Sequence, residues 1–210
     1  MTFTDKELEA LRLEIEKRIS PKRFSHTLGV ERAALRIGEY CLDSDLCELS
    51  AAALLHDVTK EYKTEEHIAL MKKAGSFSDE DFMSSPVYHS FTAPIIIERD
   101  FKLFSTAAIR SAVFNHTLGA PDMTVFDEII FISDYVEDGR SYPSSIEIRN
   151  KLYESLGLAK DREECIVRLH EATVSALDAT LAHLIKSGAF IHPQAVRTRN
   201  AFLGRMPMAL

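Results

Sequence analysis

Apolar positions along this chain recur at steps of three and four residues, the period of an amphipathic helix. His26, Val30, Ala33 and Ile37 fall at i, i+4, i+7 and i+11 and so share one face. Leu49, Ala52, Ala53 and His56 share another, and Ile130 and Asp134 stand at i and i+4 on a third. Start and stop signals divide the pattern. Thr4-x-x-Glu7 is a capping box, and Ser20-Pro21 is a cap followed by a proline at the first helical position. Asp45 is expected to cap a third helix that ends near His56 and Asp57, and a fourth runs from Thr64 to Gly75. Ser85-Pro86 opens a fifth with His89 in its first turn, and Pro94 is expected to kink or end it. Ser105 caps a sixth that finishes near His116 and Gly119, and Thr124 caps a seventh. The eighth spans about Ser145 to Leu156, and the longest runs from Asp161 to Ser187, stopped by Gly188. "SFSDED" reads as a loop or the start of a short helix. No alternating run stands between turn dipeptides, so no strand is predicted. The expected fold class is all-α, a single helical domain without a linker.

Composition narrows the function classes. The 210 residues are 46% hydrophobic and 27% charged, the balance of a soluble globular protein. A net charge of -7 disfavours non-specific binding to nucleic acid or to an anionic membrane, and leaves room for a local basic cleft that takes phosphates. No apolar run approaches the roughly 20 residues of a membrane span, and the acid-rich first segment is no signal peptide. Cys41, Cys47 and Cys165 form no C-x-x-C pair, which fits a reduced, cytoplasmic setting.

The stretch "HTLG" occurs at 26–29 and again at 116–119. Its flanks differ, and no repeat period links the two, so duplication does not explain it. Two distant segments each delivering a histidine to one place would. One histidine on an apolar face is ordinarily a hydrogen-bonded core or boundary residue; His170 and His183 on the longest helix are expected to pack or to meet solvent, His192 to be structural in a loop, and His67 to be structural although it could also reach a phosphate. His26, His56, His89 and His116 form a pattern instead, because each falls near a predicted helix end or on a buried face. His56 is followed by Asp57, and Asp134 lies on a mostly apolar face where an unpartnered carboxylate is costly. Converging imidazoles and carboxylates suit divalent transition metals, and this many ligands exceed one tetrahedral ion, which points to one octahedral ion or a pair. Neighbouring helical residues point about 100° apart, so His56 and Asp57 converge only near a helix end or around two ions.

The stretches "RFSHTLGV", "AALLHDVTKE", "PVYHS", "AVFNHTLG", "MTVFDEIIFISDYVEDGR" and "IHPQAVRTRN" resemble, in order and over nearly the whole chain, the HD-domain metal-dependent phosphohydrolases. More narrowly they resemble the bacterial enzymes of that superfamily that split diadenosine tetraphosphate symmetrically. Ser90, Pro94, Leu118 and Ser133 depart from the family pattern without removing a ligand. The resemblance implies an HD core over about 20–140 with C-terminal helices over about 145–200. It also implies two divalent ions, iron foremost, with manganese, cobalt or zinc as alternatives. His26, His56, Asp57 and Asp134 would hold one ion. Asp57 would bridge to the other, completed by His89 and His116.

A metal-activated bridging water would attack an inner phosphorus and release two ADP, with Asp57 and Lys60 as catalytic residues. Lys60, three residues after Asp57, is the first candidate for a phosphate-facing cation, followed by Arg23 and Arg140. Thr27 and Thr117 are candidate donors to phosphate. The partner expected is a nucleotide. Other nucleotide substrates are the competing enzymatic reading: a deoxynucleoside monophosphate, a guanosine polyphosphate or a cyclic dinucleotide. A non-catalytic nucleotide-binding HD domain is the reading from another class. The first and the longest helices carry apolar edges through which two copies could form a homodimer.

Overall fold

The computed structural model describes residues 3–43 and 46–205, and those residues form ten α-helices and no strand. α1 (Asp5–Arg18) opens at Thr4, whose side chain and Glu7 cap each other as the sequence predicts. α2 (Pro21–Cys41) opens at Ser20 with Pro21 at its first position. α3 (Cys47–Leu55) follows, and Asp45, its expected cap, lies outside the described residues. α4 (Thr64–Ala74) ends at Gly75. The "SDED" stretch becomes one short 3₁₀ turn over Asp79–Met83, and a second over Ser85–Val87 leads into α5 (Tyr88–Asp100).

Several boundaries differ from the sequence expectation. Pro94, expected to kink or end α5, does not end it: the helix runs six residues further to Asp100. The buried Ala93, Ile96 and Ile97 hold the helix through the missing N–H, because tertiary packing outweighs one lost bond. α6 (Ala107–Asn115) is capped by Thr106, not Ser105: the Thr106 hydroxyl accepts from Ile109 N at 3.2 Å. α7 (Val125–Val136) has the expected Thr124 cap. α8 (Pro143–Leu158) starts two residues before Ser145, with Pro143 in its first turn, and α9 (Arg162–Ser187) is capped by Asp161 and stopped by Gly188. α10 (Pro193–Arg205) falls within the C-terminal helices the resemblance implies, although the helical pattern read along the chain stops at Gly188. Only Ala195, Thr198 and Phe202 are buried along it, among three arginines, so its apolar stripe is too thin to read in sequence.

α2 is the central element. It packs mainly against α3 and α7, with α9 beside it, while α5 and α6 pair and α6 closes on α7. Alanines 51, 52 and 53 are fully buried and let α3 approach its neighbours closely. The main core fills the space among these helices with Ile37, Leu49, Leu55, Ile97, Ile129 and Leu177, all buried. α8 and α10 lie on α9, outside the α2–α7 centre. One consequence organises everything below. The ends of α3, α6 and α7, the first turns of α2 and the start of α5 all converge in one buried place.

Candidate metal centre

The six histidines and aspartates expected as ligands are brought together in two adjoining groups. His26, His56 and Asp134 form one; Asp57, His89 and His116 form the other. Each residue arrives by a simple local route. His26 is in the second turn of α2, and His56 and His116 cap the C-termini of α3 and α6. Asp57 follows in a turn, His89 is the second residue of α5, and Asp134 is in the last turn of α7. His56, Asp57, His89 and His116 are each at most 3% exposed.

Asp57 stands between the groups. Its Oδ2 faces His26 Nε2 at 3.7 Å and His56 Nε2 at 3.5 Å, and its Oδ1 faces His89 Nε2 at 3.4 Å and His116 Nε2 at 3.7 Å. The imidazoles are fixed from behind. Nδ1 of His56 donates to the Ala53 carbonyl at 2.6 Å, and Nδ1 of His116 donates to the Val113 carbonyl at the same distance. Both donors sit three residues after their acceptors, so one helix-end device is used twice. With the proton on Nδ1, each Nε2 presents a lone pair inward. The orientation of His26 comes from a residue the sequence reading passed over. Glu137 Oε1 accepts from His26 Nδ1 at 3.1 Å, and Glu137 Oε2 accepts from Gly139 N at 2.6 Å.

This arrangement fits divalent metal on its own chemistry. His26 Nε2 and His56 Nε2 are buried without a hydrogen-bond partner, and His26 Nε2 lies 3.0 Å from Asp134 Oδ1 without the alignment of a hydrogen bond. Imidazole nitrogens and carboxylate oxygens facing one another at that range need a proton or a metal ion among them, and the buried His56 Nε2, with its proton on Nδ1, is left with a free lone pair for an ion. Both groups of three ligands could hold an ion.

The charge states agree with that reading. Burial pushes the Asp57 carboxyl up, but His56, His116 and His89 around it hold it well below the usual carboxylate range. Burial likewise opposes ionisation of Asp134, and His26 and Arg140 hold it well below. His89 is driven well below the usual imidazole value by burial, against the pull of Asp57, and so stays neutral. Burial opposes protonation of His26, yet Asp134 and Glu137 raise it to about 9 when only protein surrounds it.

The other expected site residues divide. Lys60 Nζ lies 3.2 and 3.1 Å from the two ring nitrogens of His89, near-equal distances that place the ammonium over the ring face. Burial lowers its pKa, and Asp57 and Asp134 offset part of that. Arg23 donates to Asp57 Oδ2 at 2.7 Å. Arg140 pairs with the Asp134 carboxylate and donates from Nε to the Asp134 carbonyl at 2.8 Å. Thr117 Oγ1 is 3.2 Å from His89 Nε2. Thr27 is different: it has no exposed surface and its hydroxyl is unpaired, so it offers nothing to a phosphate in this conformation. Arg23 and Arg140, with Lys22 and Arg32, line a cleft of about 690 Å³ that opens beside His26.

The two "HTLG" glycines serve unlike ends. A side chain on Gly29 would collide with Glu137 Oε2, so the residue is a gap that the carboxylate fills. Gly119 has a φ of 66° and ends the turn after α6 in the left-handed region. Three of the histidines first set aside have partners elsewhere. His67 is 2.8 Å from Thr92 Oγ1, His192 is 3.1 Å from Asp81, and His170 is 2.8 Å from the buried Glu128.

A family model described as HD domain matches residues 23–139, more than half of the chain. The chain belongs to the HD-domain family. The matched span contains all six residues of the two candidate ligand groups and Lys60, and stops one residue before Arg140. Relatives extend the likeness beyond that HD segment. A protein of Halalkalibacterium halodurans named bis(5'-nucleosyl)-tetraphosphatase, symmetrical, is 27% identical over 93% of this chain and 96% of its own. Proteins of the same name from Bacillus subtilis and Staphylococcus aureus are 26% and 29% identical, over 89% and 72% of this chain and 92% and 77% of theirs. A solved structure from Clostridium acetobutylicum, described as a predicted HD superfamily hydrolase involved in NAD metabolism, superposes with a TM-score of 0.79 at 25% identity, covering 98% of this chain and all of that one. An all-α HD hydrolase fold is therefore the fold of this protein.

Proposed function

We propose that this HD-domain hydrolase splits diadenosine tetraphosphate, and related dinucleoside polyphosphates, symmetrically into two ADP. The observation that carries the reading is Asp57, whose two carboxylate oxygens face two separate sets of imidazoles. That division suits a pair of divalent ions, iron first among them, with Asp57 as the shared ligand. The names of the relatives support the tetraphosphate as substrate. The reduced cysteines expected from the sequence accord with action in the cytoplasm.

Bound there, such ions supply Lewis acidity: they acidify water to near-neutral pKa and neutralise phosphoryl charge. The protein's own groups do the rest. His26, His56 and His116 keep their Nε2 atoms aimed inward because Glu137 and two backbone carbonyls hold their other nitrogens. Arg23, Arg140 and Lys22 line the cleft at the mouth and orient a polyanionic chain. Lys60 brings positive charge over His89, and Thr117 offers a hydroxyl on the same side. With these groups in place, water attacks an inner phosphorus, and the bridging oxygen between the two central phosphorus atoms leaves with one ADP. Phosphoryl transfer relies on positioning and charge stabilisation, which is what this ring of fixed cations provides.

The test is a product assay on protein prepared anaerobically and loaded with ferrous iron or manganese. ADP as the only early product from diadenosine tetraphosphate is the expected result. ATP with AMP, or no turnover at all, would retire the symmetrical reading.

A further inference from the structure

Two recesses flank the candidate metal centre, one apart from the basic cleft and one adjoining it. The first, of about 380 Å³, has Thr117 on its inner side and Met83, Leu118, Leu181 and Phe190 around it. Thr117 touches His89, so this recess opens beside the Asp57–His89–His116 group. The second, of about 610 Å³, has Asp134 on its inner side and Tyr135, Tyr142 and Pro143 around it, and so opens beside the other group. Thr180 of α9 lines both. The second recess shares Arg140 and Tyr142 with the basic cleft.

The chemistry of these walls is specific. Among the described residues, those lining the first recess include no Lys, Arg, Asp or Glu. An uncharged, concave apolar surface of this kind is the character of a ligand-binding groove. Each recess presents one exposed aromatic ring: Phe190 is 37% exposed and Tyr142 66%. Rings left in solvent at the edge of a pocket are stacking surfaces for flat heteroaromatic groups. Both volumes fall in the range of roughly 300–1,000 Å³ typical of sites for small ligands. Charged groups concentrate between and beside the recesses, where Asp57, Lys60, Arg23 and Arg140 stand.

We infer that the Phe190 and Tyr142 recesses are a pair of nucleoside subsites, one for each end of a dinucleoside polyphosphate. The inference rests on the hydrolytic reading above and adds what selects the substrate. A ligand with a nucleoside at both ends fills both recesses while its phosphates cross the metal centre. A nucleoside monophosphate fills one and leaves the other aromatic ring in water. Placing one recess beside each ligand group also centres the phosphate chain on Asp57, which is what cleavage into equal halves requires.

The test separates the two claims. ADP is titrated calorimetrically into the manganese-loaded protein, and turnover of diadenosine tetraphosphate is measured on the same preparation. Two ADP per chain are expected. Phe190→Ala and Tyr142→Ala should each lose one of them and raise KM for the dinucleotide by roughly tenfold, the loss of one base–aromatic stack, with kcat little changed. Phe190→Tyr and Tyr142→Phe should restore both. Binding of a single ADP, or of two that neither alanine substitution disturbs, overturns the paired subsites. Turnover of the wild-type protein decides the hydrolytic reading independently, whichever stoichiometry is found.

Discussion

The carboxylate of Glu137 fills the space that a side chain on Gly29 would take, and from there it reaches His26 Nδ1 at 3.1 Å. A glycine on α2 and an acid just past α7 are thus one device that fixes a candidate ligand. Glu137→Ala should leave His26 free to turn and lower metal affinity by about 10- to 100-fold, the usual effect of losing an orienting partner. Gly29→Ala should do the same by displacing the carboxylate, and should also destabilise the fold by roughly 1–3 kcal/mol through overpacking. Competition of each variant against a chelator of known affinity checks this. If the double variant binds metal no more weakly than Glu137→Ala alone, the two residues act through one contact, as the geometry requires.

Asp57 and Lys60 should fail in different ways. Asp57 faces all four imidazoles at 3.4–3.7 Å, so Asp57→Ala is expected to lose bound metal and turnover together. Lys60 touches only the face of His89, so Lys60→Ala should keep its metal and lose kcat, by about a hundredfold or more if it steadies developing charge. Metal content by elemental analysis, measured beside kcat, distinguishes these. An Asp57→Ala protein with both full metal and full turnover would end the assignment.

Much of this centre was legible in the sequence because its parts sit at helix ends, and helix ends carry local signals. Ser20-Pro21, Thr124 and the 3.6-residue spacing place His26 and Asp134 on buried faces before any coordinates are known. The residues that escaped lie where periodicity says nothing. Glu137 follows the last turn of α7 in "VEDGR", where it resembles a solvated acid beside Asp138, yet it is 4% exposed. Only the glycines at 29 and 139 hint that something closes over it. Thr27 erred the other way. A hydroxyl next to a ligand histidine looks like a phosphate donor, but the helical turn carries it into the core. Ser105 and Thr106 are adjacent hydroxyls, and only the backbone decides which one caps α6.

His170 was expected to pack or to meet solvent, and it has a more specific task. Glu128 is fully buried on α7, where His170 Nδ1 lies 2.8 Å from one of its oxygens and Thr173 Oγ1 donates at 2.6 Å to the other. Removing the partner of a buried carboxylate leaves its desolvation uncompensated, so His170→Ala should cost about 3 kcal/mol. Replacing both residues by leucine should cost less than that single change, because no charge is left stranded. Urea unfolding of the two variants checks the order, and a single variant as stable as the wild type would remove the pair from the account.

The metal centre should also be a stability element, and its removal should be visible without any substrate. In the protein alone, the buried His56 Nε2 finds no donor, and the carboxylates of Asp57 and Asp134 crowd the ring nitrogens around them, Asp134 Oδ1 at 3.0 Å from His26 Nε2. A bound cation satisfies these groups in the folded state and finds no such cluster in the unfolded chain. At a hundredfold excess over Kd this linkage is worth about 2.7 kcal/mol per site. For a chain of this size that corresponds to a rise in Tm of roughly 5–10 °C for each occupied site. Chelation should therefore lower the Tm of the loaded protein by that amount, and added manganese should restore it. Asp57→Ala, lacking the ligand both groups share, should show little response to either treatment. A Tm indifferent to chelator in the wild-type protein would mean that these six side chains do not hold an ion in the folded state.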